Sequence, residues 1–574
     1  MAKVKDIMER VAASAACQAL AAELRPGRTT ELKGLAGSAY ALYAAAAVGR
    51  VGGVHVFMCE DKDAAAYLMN DFYGLLGEAG VKFFPAGYKR SIQYGQEDAS
   101  GLVQRTAALT AMRNYRREEG PLVVCTYPEA LAEKVVDVAE LERRTLTVAC
   151  GETMDMDHMV AILEEFGFTK VDFVYEPGQY SRRGGIVDVF SYAENKPYRI
   201  DFFGDEVESV RRFDIASQLS TEKLDRIEIV PNLKHEAAAR TGVALPVFAG
   251  EATYWANDLD HLLRRLDDIR RKMLAEADDP ASVDGRVTSR KQFLAGLEGH
   301  ALLIRRGIPA ECAVTGEVTF ETTPQPAFNK QFDLLARDIR DRMEEGFTTY
   351  ILSENKAQIE RLVNIFASEG FPKVRFEALS LTLHEGFVDK TLKACFYTDH
   401  QIFERYHRYS LRGEIDRTQA LTVAELNELK PGDYVVHIDH GVGRFGGLVR
   451  TVENGKVHEA VKLVYRDGDV LLVNVHALHR IARYKDKDSD TPPRIYKLGS
   501  GAWQKMKTAT KNAVKDIARE LIRLYAERKE SGGFAFSPDG YLQHELEAAF
   551  PYEETPDQQQ AVEAVKHDME QPQP

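Results

Sequence analysis

Residues 431–448 read PGDYVVHIDHGVGRFGGL, and this stretch decides the fold of its part of the chain. Tyr434–Ile438 alternates and is rich in β-branched residues, which is typical of a strand. The glycine-punctuated segment 440–447 is predicted to turn sharply or to lie close to another backbone. Further strands, joined by a hairpin, are predicted at Ala460–Tyr465 and Val470–Val475. Together they predict a small β-barrel of the Tudor or SH3-like kind, and the absence of a nucleophile–base pair indicates a module that holds a partner.

The run from Gly432 to Phe445 resembles the RNA-polymerase-interacting module of bacterial transcription-repair coupling factors (Mfd), which CarD-type regulators share. The resemblance implies a CarD-like barrel over residues 425–485 that binds the β subunit of RNA polymerase. It also implies contact through an exposed edge strand, whose unpaired backbone groups can accept a partner strand. The predicted contact residues are Leu448, Val449, Arg450 and Thr451.

Metal binding is the alternative for His437 and His440 in the same stretch. Two histidines without further ligands favour strand or turn packing, and the six cysteines are scattered without a Cys-x-x-Cys pair. No metal ligand is therefore predicted. Buried free thiols are typical of a reducing cytoplasm, where we expect the protein to reside, and no apolar run reaches the length of a membrane span.

The bulk composition is that of an ordinary globular protein with several domains. The chain has 574 residues, of which 44% are hydrophobic and 28% charged, and its net charge is −14. This length exceeds what a single core supports. The acidic balance does not indicate a dedicated nucleic-acid binder, although local charge can oppose the total.

Residues 1–145 alternate short apolar runs, among them Val54–Met58 and Leu122–Cys125, with helical patterns, which predicts an α/β layer with parallel strands. Within it, Lys33–Ala41 has the outline of a phosphate loop, but Ala39-Tyr40-Ala41 stands where Gly-Lys-Ser/Thr would supply the cation and the Mg²⁺-binding hydroxyl. The segment resembles the ATP-binding region of the excision-repair helicase UvrB with its chemistry lost. No catalytic residue is predicted, and this loop is not expected to hydrolyse ATP.

Residues 146–235 change to alternating strand patterns, which predict a mostly β insertion with one or two helices. The run 178–190, with 198–206 after it, resembles a motif of UvrB and the coupling factors. In that family the module docks UvrA through exposed arginines and an aromatic residue, and the matching positions are Arg183, Arg199 and Phe203. From the residues alone, Phe203 is equally compatible with a core position, because Phe202 and Phe203 must face opposite sides of a strand.

The remaining segments complete a multidomain α/β architecture. Residues 236–325 are predicted to be the second part of the UvrB-like unit, and 326–405 a small α/β domain. A helix of that domain is predicted to bury the apolar stripe Ile359, Leu362, Val363 and Phe366. Residues 496–533 form a basic amphipathic pattern that the resemblance assigns to a relay helix, with contact to DNA phosphates as the alternative.

Residues 534–574 resemble the entry motif of a superfamily 2 translocase with a RecA-like fold. In that family an aromatic residue stacks on adenine and a glutamine reads its edge, and Phe550 and Gln558 match these positions. No phosphate loop with Gly-Lys-Ser/Thr follows, so we expect a chain that ends just inside the first motor domain and does not hydrolyse ATP alone. The resemblance assigns ATP, Mg²⁺ and double-stranded DNA to the motor of the full-length family.

The predicted function is transcription-coupled DNA repair, in which the protein binds stalled RNA polymerase and recruits UvrA. One alternative is an active UvrB-like helicase subunit, which requires a functional phosphate loop near residue 34. Another is a CarD-like regulator with unrelated added domains, which predicts polymerase binding without UvrA binding.

Overall fold

The computed structural model describes residues 4–87, 99–171, 173–215, 218–233, 242–277, 280–368, 371, 374–405, 430, 432–437, 440–453, 456–474, 481–484, 534–540 and 556–572, with scattered positions between 495 and 550. The chain divides into two units, Met1–Glu414 with Asp539–Thr555 and Ile415–Pro538 with Pro556–Pro574. Within the described residues, no helix is both long and apolar enough to cross a membrane. The multidomain α/β fold class is confirmed.

The first unit begins with an α/β layer. Its elements are α1 (Val4–Ala13), α2 (Ala15–Glu23), β1 (Thr29–Lys33), α3 (Ala39–Val51), β2 (Val54–Met58), α4 (Lys62–Leu76), β3 (Val81–Phe84), α5 (Ala99–Asn114), β4 (Leu122–Thr126), α6 (Pro128–Ala132), α7 (Val138–Arg143) and β5 (Leu146–Ala149). Helix α3 is the centre of this layer, since every residue from Ala39 to Val48 is buried. Its run of alanines combines high helix propensity with little volume, so the helix can lie entirely inside the core.

A mostly β segment follows. Its elements are α8 (Met156–Glu165), β6 (Thr169–Lys170), β7 (Gln179–Arg183), β8 (Ile186–Val189), β9 (Tyr198–Phe203), β10 (Glu206–Phe213), β11 (Ser220–Leu224) and β12 (Arg226–Ile229). Strands β6–β11 form a six-stranded sheet in the order β11-β10-β9-β8-β7-β6, while β12 pairs with β5. One face of the sheet packs on α8 through an apolar core that includes Tyr180, Ile200 and Leu163. The opposite face carries the charged residues considered below.

The α/β pattern then resumes. Its elements are α9 (Leu245–Phe248), β13 (Ala252–Asp258), α10 (Leu259–Glu276), α11 (Pro280–Arg286), α12 (Arg290–Leu297), β14 (Ala301–Arg306), β15 (Gly316–Thr319) and β16 (Thr322–Pro324). Strands β13–β15 join β1–β4 in one parallel seven-stranded sheet of order β15-β1-β14-β13-β2-β4-β3. The β segment thus interrupts a single sheet that continues on both sides of it in sequence.

A smaller α/β domain ends the described part of residues 1–414. Its elements are α13 (Phe332–Glu344), β17 (Thr348–Leu352), α14 (Lys356–Ser368), β18 (Glu377–Leu379), β19 (Phe387–Asp389), β20 (Ala394–Thr398) and α15 (Asp399–Ile402). Together with β16 they form a five-stranded sheet of order β16-β19-β20-β17-β18.

The second unit contains β21 (Tyr434–His437), β22 (Gly441–Glu453), β23 (Lys456–Val464), β24 (Val470–Asn474), β25 (Ile481–Arg483) and α16 (Pro556–Glu570). The five strands form an antiparallel sheet of order β24-β23-β22-β21-β25. For 440–447 the sequence left two alternatives, a sharp turn or close approach to another backbone. Gly441–Gly447 is the first half of β22, and a Cβ on Gly446 would lie 3.2 Å from the Lys462 carbonyl oxygen, so the second alternative is correct. Gly441 and Gly447 have φ of +79° and +94°, and a Cβ on Gly443 would lie 3.1 Å from the Tyr465 ring, so this part of the strand needs its glycines.

Candidate protein-docking site

The outer face of the six-stranded sheet carries its polar side chains in rows that run across the strands. The first row consists of Ser181, Asp188, Arg199, Arg211 and Lys223, which are direct cross-strand neighbours on β7 to β11. The next row, one pleat along, consists of Arg183, Ile186, Asp201 and Ser209. Directly opposed side chains of a sheet lie close enough to interact, so the strand register brings these charges together.

Asp188 is the centre of this face. Its side chain is fully buried, and it accepts hydrogen bonds from both of the arginines that the sequence analysis singled out. Arg199 binds it through two nitrogens at 2.7 and 2.9 Å and also donates to the Gln218 carbonyl at 3.1 Å. Hydrogen bonding to this carboxylate raises the pKa of the Arg199 guanidinium above its usual value.

The two arginines differ in what they present to solvent. The Arg199 side chain is only 16% exposed and lies over the Phe213 ring, 4.6 Å from its centroid. The expectation of two exposed arginines is therefore wrong for Arg199, because its hydrogen-bonding groups are already engaged inside the domain. Arg183 remains 38% exposed, donates to Asp188 and lies 4.7 Å from the centroid of the half-exposed Phe173 ring.

Phe203 lies at the end of β9 on this outer face. It is 79% exposed, whereas Phe202 next to it is 8% exposed and packs in the core. The alternative of a core position for Phe203 is thus wrong, since strand alternation gives the core position to Phe202. Its direct cross-strand neighbour is the exposed Glu206. An aromatic ring held in water on a charged face is the arrangement expected of an interface anchor.

The loop between β1 and α3 has the strand–loop–helix geometry of a phosphate loop, but other parts of the chain use its hydrogen-bonding groups. The Ser38 N–H donates to the Glu385 carbonyl at 3.1 Å, and the Ala36 N–H donates to Thr322 Oγ1 at 2.8 Å. Ser38 Oγ donates to buried Asp71 at 2.6 Å, and the same carboxylate accepts the His384 N–H at 2.7 Å. The β18–β19 connection therefore occupies the position that a phosphate would need.

The space inside this loop is also filled by side chains. Tyr40, at the lysine position of a functional loop, is 5% exposed and lies edge-on to Phe57 and Trp255, with ring centroids 6.1 and 6.3 Å away. Burial raises the pKa of its hydroxyl well above the usual value, so the ring stays neutral. Arg305 lies over the same ring and donates to the Leu35 carbonyl at 2.8 Å.

Restoring the missing residues of the loop is not expected to restore nucleotide binding. In the triple variant Ala39→Gly, Tyr40→Lys, Ala41→Thr, the backbone donors stay engaged by Glu385 and Thr322, and the new lysine is placed in an apolar cluster. We expect a lower melting temperature and a dissociation constant for a fluorescent ATP analogue above about 1 mM.

The control for that experiment is Tyr40→Phe, which keeps the aromatic cluster without adding a charge. Circular dichroism of each variant separates loss of binding from loss of folding. Micromolar binding of the analogue by the folded triple variant would show that the loop is open to phosphate.

The predicted polymerase-contact residues lie in the second half of β22. Among the described residues, Leu448–Glu453 pairs only with β23, because β21 pairs with β22 over Gly441–Arg444. A register shift separates the two halves between Phe445 and Leu448. The backbone of 448–453 thus has one unpaired edge within the described part of the sheet.

The other predicted positions are placed separately. His437 is buried, with its ring 4.8 Å from that of His440, and no group of metal-ligating side chains occurs in the described ranges. Phe550 belongs to the first unit and Gln558, on α16, to the second, and both are exposed. The proposed relay helix, 496–533, lies largely outside the described residues.

Comparison with known families defines the class of these modules. The family described as the UvrB interaction domain matches residues 146–235, which include Arg183, Asp188 and Phe203. The family described as the CarD-like/TRCF RID domain matches residues 429–485, the β21–β25 sheet. The chain therefore carries two domains of types that are named for interaction.

Curated relatives of the chain are named transcription-repair-coupling factor. The protein of Bacillus subtilis is 26% identical over 622 residues, covering 95% of this chain and 52% of the relative. Those of Staphylococcus epidermidis and Staphylococcus aureus are 26% and 25% identical, covering 88% and 84% of this chain. The resemblance to this family is confirmed, and the chain spans about half the length of the relatives it matches.

Sequence reasoning missed three features of these sites. Asp188 was visible inside the 178–190 motif, but its contact with both arginines depends on strand register. The Lys223 and Arg211 positions carried no signal, since isolated charges on strands are usually solvated. The contact of Glu385 with Ser38 joins residues 347 apart in sequence and has no local signature.

Proposed function

We propose that this chain acts in transcription-coupled DNA repair as a scaffold that joins RNA polymerase to UvrA. Residues 146–235 dock UvrA, and residues 425–485 dock the polymerase β subunit. Support comes from the two matched interaction domains and from relatives named transcription-repair-coupling factor along most of the chain. The observation that carries the proposal is Phe203, an aromatic side chain 79% exposed beside a charged face.

The chemistry of its residues supports UvrA docking through this face. Phe203 supplies apolar area that a partner can desolvate, and Arg183 retains exposed N–H groups for a partner carboxylate. Arg199 contributes by fixing Asp188 and, through it, the orientation of Arg183. The interface therefore has a pre-organised arginine and an aromatic anchor. Because the arginine is already held in place, it loses little conformational entropy when the partner binds.

Polymerase docking through β22 rests on its free edge. The Phe445 N–H donates to the Asp433 carbonyl on the β21 side, so the backbone groups of Arg444 face β23, where Arg444 pairs with Val464. Backbone groups of alternate residues along β23 face β22, so from Val464 those of Ala460 and His458 also face it, and their partners are Val449 and Thr451. The N–H groups of Leu448 and Arg450 then point away from β23 and are free to pair with a strand of the polymerase.

Proline at position 450 tests this edge directly. Arg450→Pro removes the outward N–H, while the N–H groups that face β23 by the alternation above belong to its neighbours Val449 and Thr451, and proline is tolerated on strand edges. We expect polymerase affinity, measured by biolayer interferometry, to fall about tenfold or more. Arg450→Ala is the control for the side chain, and equal affinities of the two variants would contradict docking through the backbone edge.

We further propose that the β1–α3 loop takes no part in ATP use. ATP, Mg²⁺ and DNA translocation are what the resemblance implies for the whole protein, and the engaged donors of Ser38 and Ala36 argue against a nucleotide at this loop. The adenine-contact roles of Phe550 and Gln558 are proposals of the same kind.

One capture experiment tests the proposed function. The purified full chain is immobilised and exposed to purified UvrA, to core RNA polymerase, and to both together. The scaffold function predicts that both are retained at once. Retention of the polymerase alone would favour a CarD-like regulator, and retention of neither would refute the proposal.

A further inference from the structure

A groove beside Phe203 continues the docking face toward the edge of the sheet. It has a volume of about 510 Å³ and is bordered by Asp201, Ser209, Arg211, Glu208 and Lys223. Asp201 precedes Phe203 by two residues on the same strand and therefore faces the same side. The groove and the exposed aromatic ring thus lie on the same face of the sheet.

The floor of the groove is organised by one carboxylate. Asp201 accepts a hydrogen bond from Ser209 Oγ at 2.5 Å and another from the Arg211 guanidinium. The Asp201 side chain is 14% exposed and that of Arg211 is 33% exposed, so Arg211 is held in place but not enclosed. This repeats, one row along, the arrangement in which Asp188 holds Arg183.

Lys223 is the next residue of the row, on the edge strand β11. It is the direct cross-strand neighbour of Arg211, and its side chain is exposed. Among the described residues it forms no ion pair, and like-charged direct neighbours on a sheet repel each other. Two adjacent cations, one of them uncompensated, are a ready site for a carboxylate from outside the chain.

Acidic and basic side chains are interspersed on this face. Arg183, Arg199, Arg211 and Lys223 are accompanied by Asp188, Asp201, Glu206 and Glu208, so the face is close to neutral in a protein whose net charge is −14. The two cations that adjoin each other, Arg211 and Lys223, favour an acidic group on the partner at that place. The interspersed carboxylates and the exposed Phe203 favour a protein over a nucleic acid, since a polyphosphate would meet four carboxylates.

We propose that the UvrA-docking surface extends from Phe203 across this groove to β11, and that Arg211 and Lys223 together receive a carboxylate of UvrA. This inference rests on the proposed UvrA binding and deepens it by adding a second contact region. Phe203 supplies the apolar anchor, and the Arg211–Lys223 pair orients the partner on the face. An interface with both an anchor and a charged pair accepts a partner in a single orientation.

The test compares two charge reversals in the full chain. Lys223→Glu places a negative charge beside the groove, while Lys196→Glu makes the same change at an exposed lysine in the β8–β9 connection. Affinity for purified UvrA is measured by biolayer interferometry at low and high salt. We expect Lys223→Glu to weaken binding about fivefold or more at low salt, with a smaller difference at high salt, and Lys196→Glu to stay within about twofold.

The outcomes separate this inference from the proposed function. If the wild-type chain does not bind UvrA, the proposed function and this inference fail together. If Phe203→Ala removes UvrA binding but Lys223→Glu matches Lys196→Glu, only the extension across the groove is refuted. A Lys223→Glu variant that loses affinity for duplex DNA and keeps its affinity for UvrA would likewise refute it, in favour of a nucleic-acid surface. Both lysines are exposed, so unchanged melting curves are expected for both variants.

Discussion

Phe203→Ala is expected to weaken UvrA binding by about 30- to 1,000-fold, which corresponds to the 2–4 kcal/mol typical of an aromatic hot spot. The reason is that 79% of the side chain is exposed in the free chain and is available for a partner to bury. Because so little of the ring packs within the domain, the same substitution should leave the melting temperature unchanged. Calorimetric titration of UvrA and a thermal melt measure the two quantities.

The matched control is Phe534→Ala, since Phe534 has the same chemistry and is 77% exposed in the other unit. It should leave UvrA affinity unchanged. Phe203→Ala binding as tightly as the wild-type chain would remove the anchor from the proposed interface.

Asp188→Ala is expected to lower the free energy of unfolding of the inserted domain by about 3–5 kcal/mol, the range found when one partner of a buried ion pair is removed. The carboxylate is fully buried and holds two guanidinium groups, and its loss leaves the largely buried Arg199 without a counter-charge. Urea denaturation measures the effect. UvrA affinity should fall as well, because Arg183 loses the carboxylate that orients it.

Asp157→Ala is the control for this substitution. It also removes a carboxylate bonded to an arginine, Arg182, but the Asp157 side chain is 77% exposed, and such surface pairs contribute at most about 1 kcal/mol. If the two variants have equal stability, Asp188 does not organise this face.

Arg183 and Arg199 show that a sequence motif identifies positions but does not predict how exposed each side chain is. The resemblance identifies both as docking residues, and nothing in the sequence distinguishes them. The structure assigns them different environments, because Arg199 sits between two other strands in the middle of the sheet while Arg183 is at the end of β7. An end position leaves part of the guanidinium in water, and a central one does not.

Short apolar runs were reliable guides to strands in the α/β layer. The predicted run Val54–Met58 is β2 at the same bounds, and the run beginning at Leu122 is β4. These strands are buried on both faces of a parallel sheet, so their apolar character is continuous and unambiguous. The apolar stripe of α14 was only partly right, because Leu362 and Phe366 are buried whereas Val363 is 52% exposed. An apolar stripe predicts the buried face of a helix to within about one residue, and the neighbouring elements decide which residues at the edge of that face are buried.

By itself, the sequence determined the apolar strands of the α/β layer, that this layer is interrupted by a β-rich segment, and that the phosphate loop lacks its cation and hydroxyl. Tertiary structure alone decided that Asp188 joins two arginines, that Glu385 occupies the loop, and that Phe203 rather than Phe202 faces solvent. The physical reason is separation along the sequence, because side-chain periodicity depends only on residues a few positions apart. Strand register and the packing of distant segments bring together charged side chains that no local sequence pattern relates.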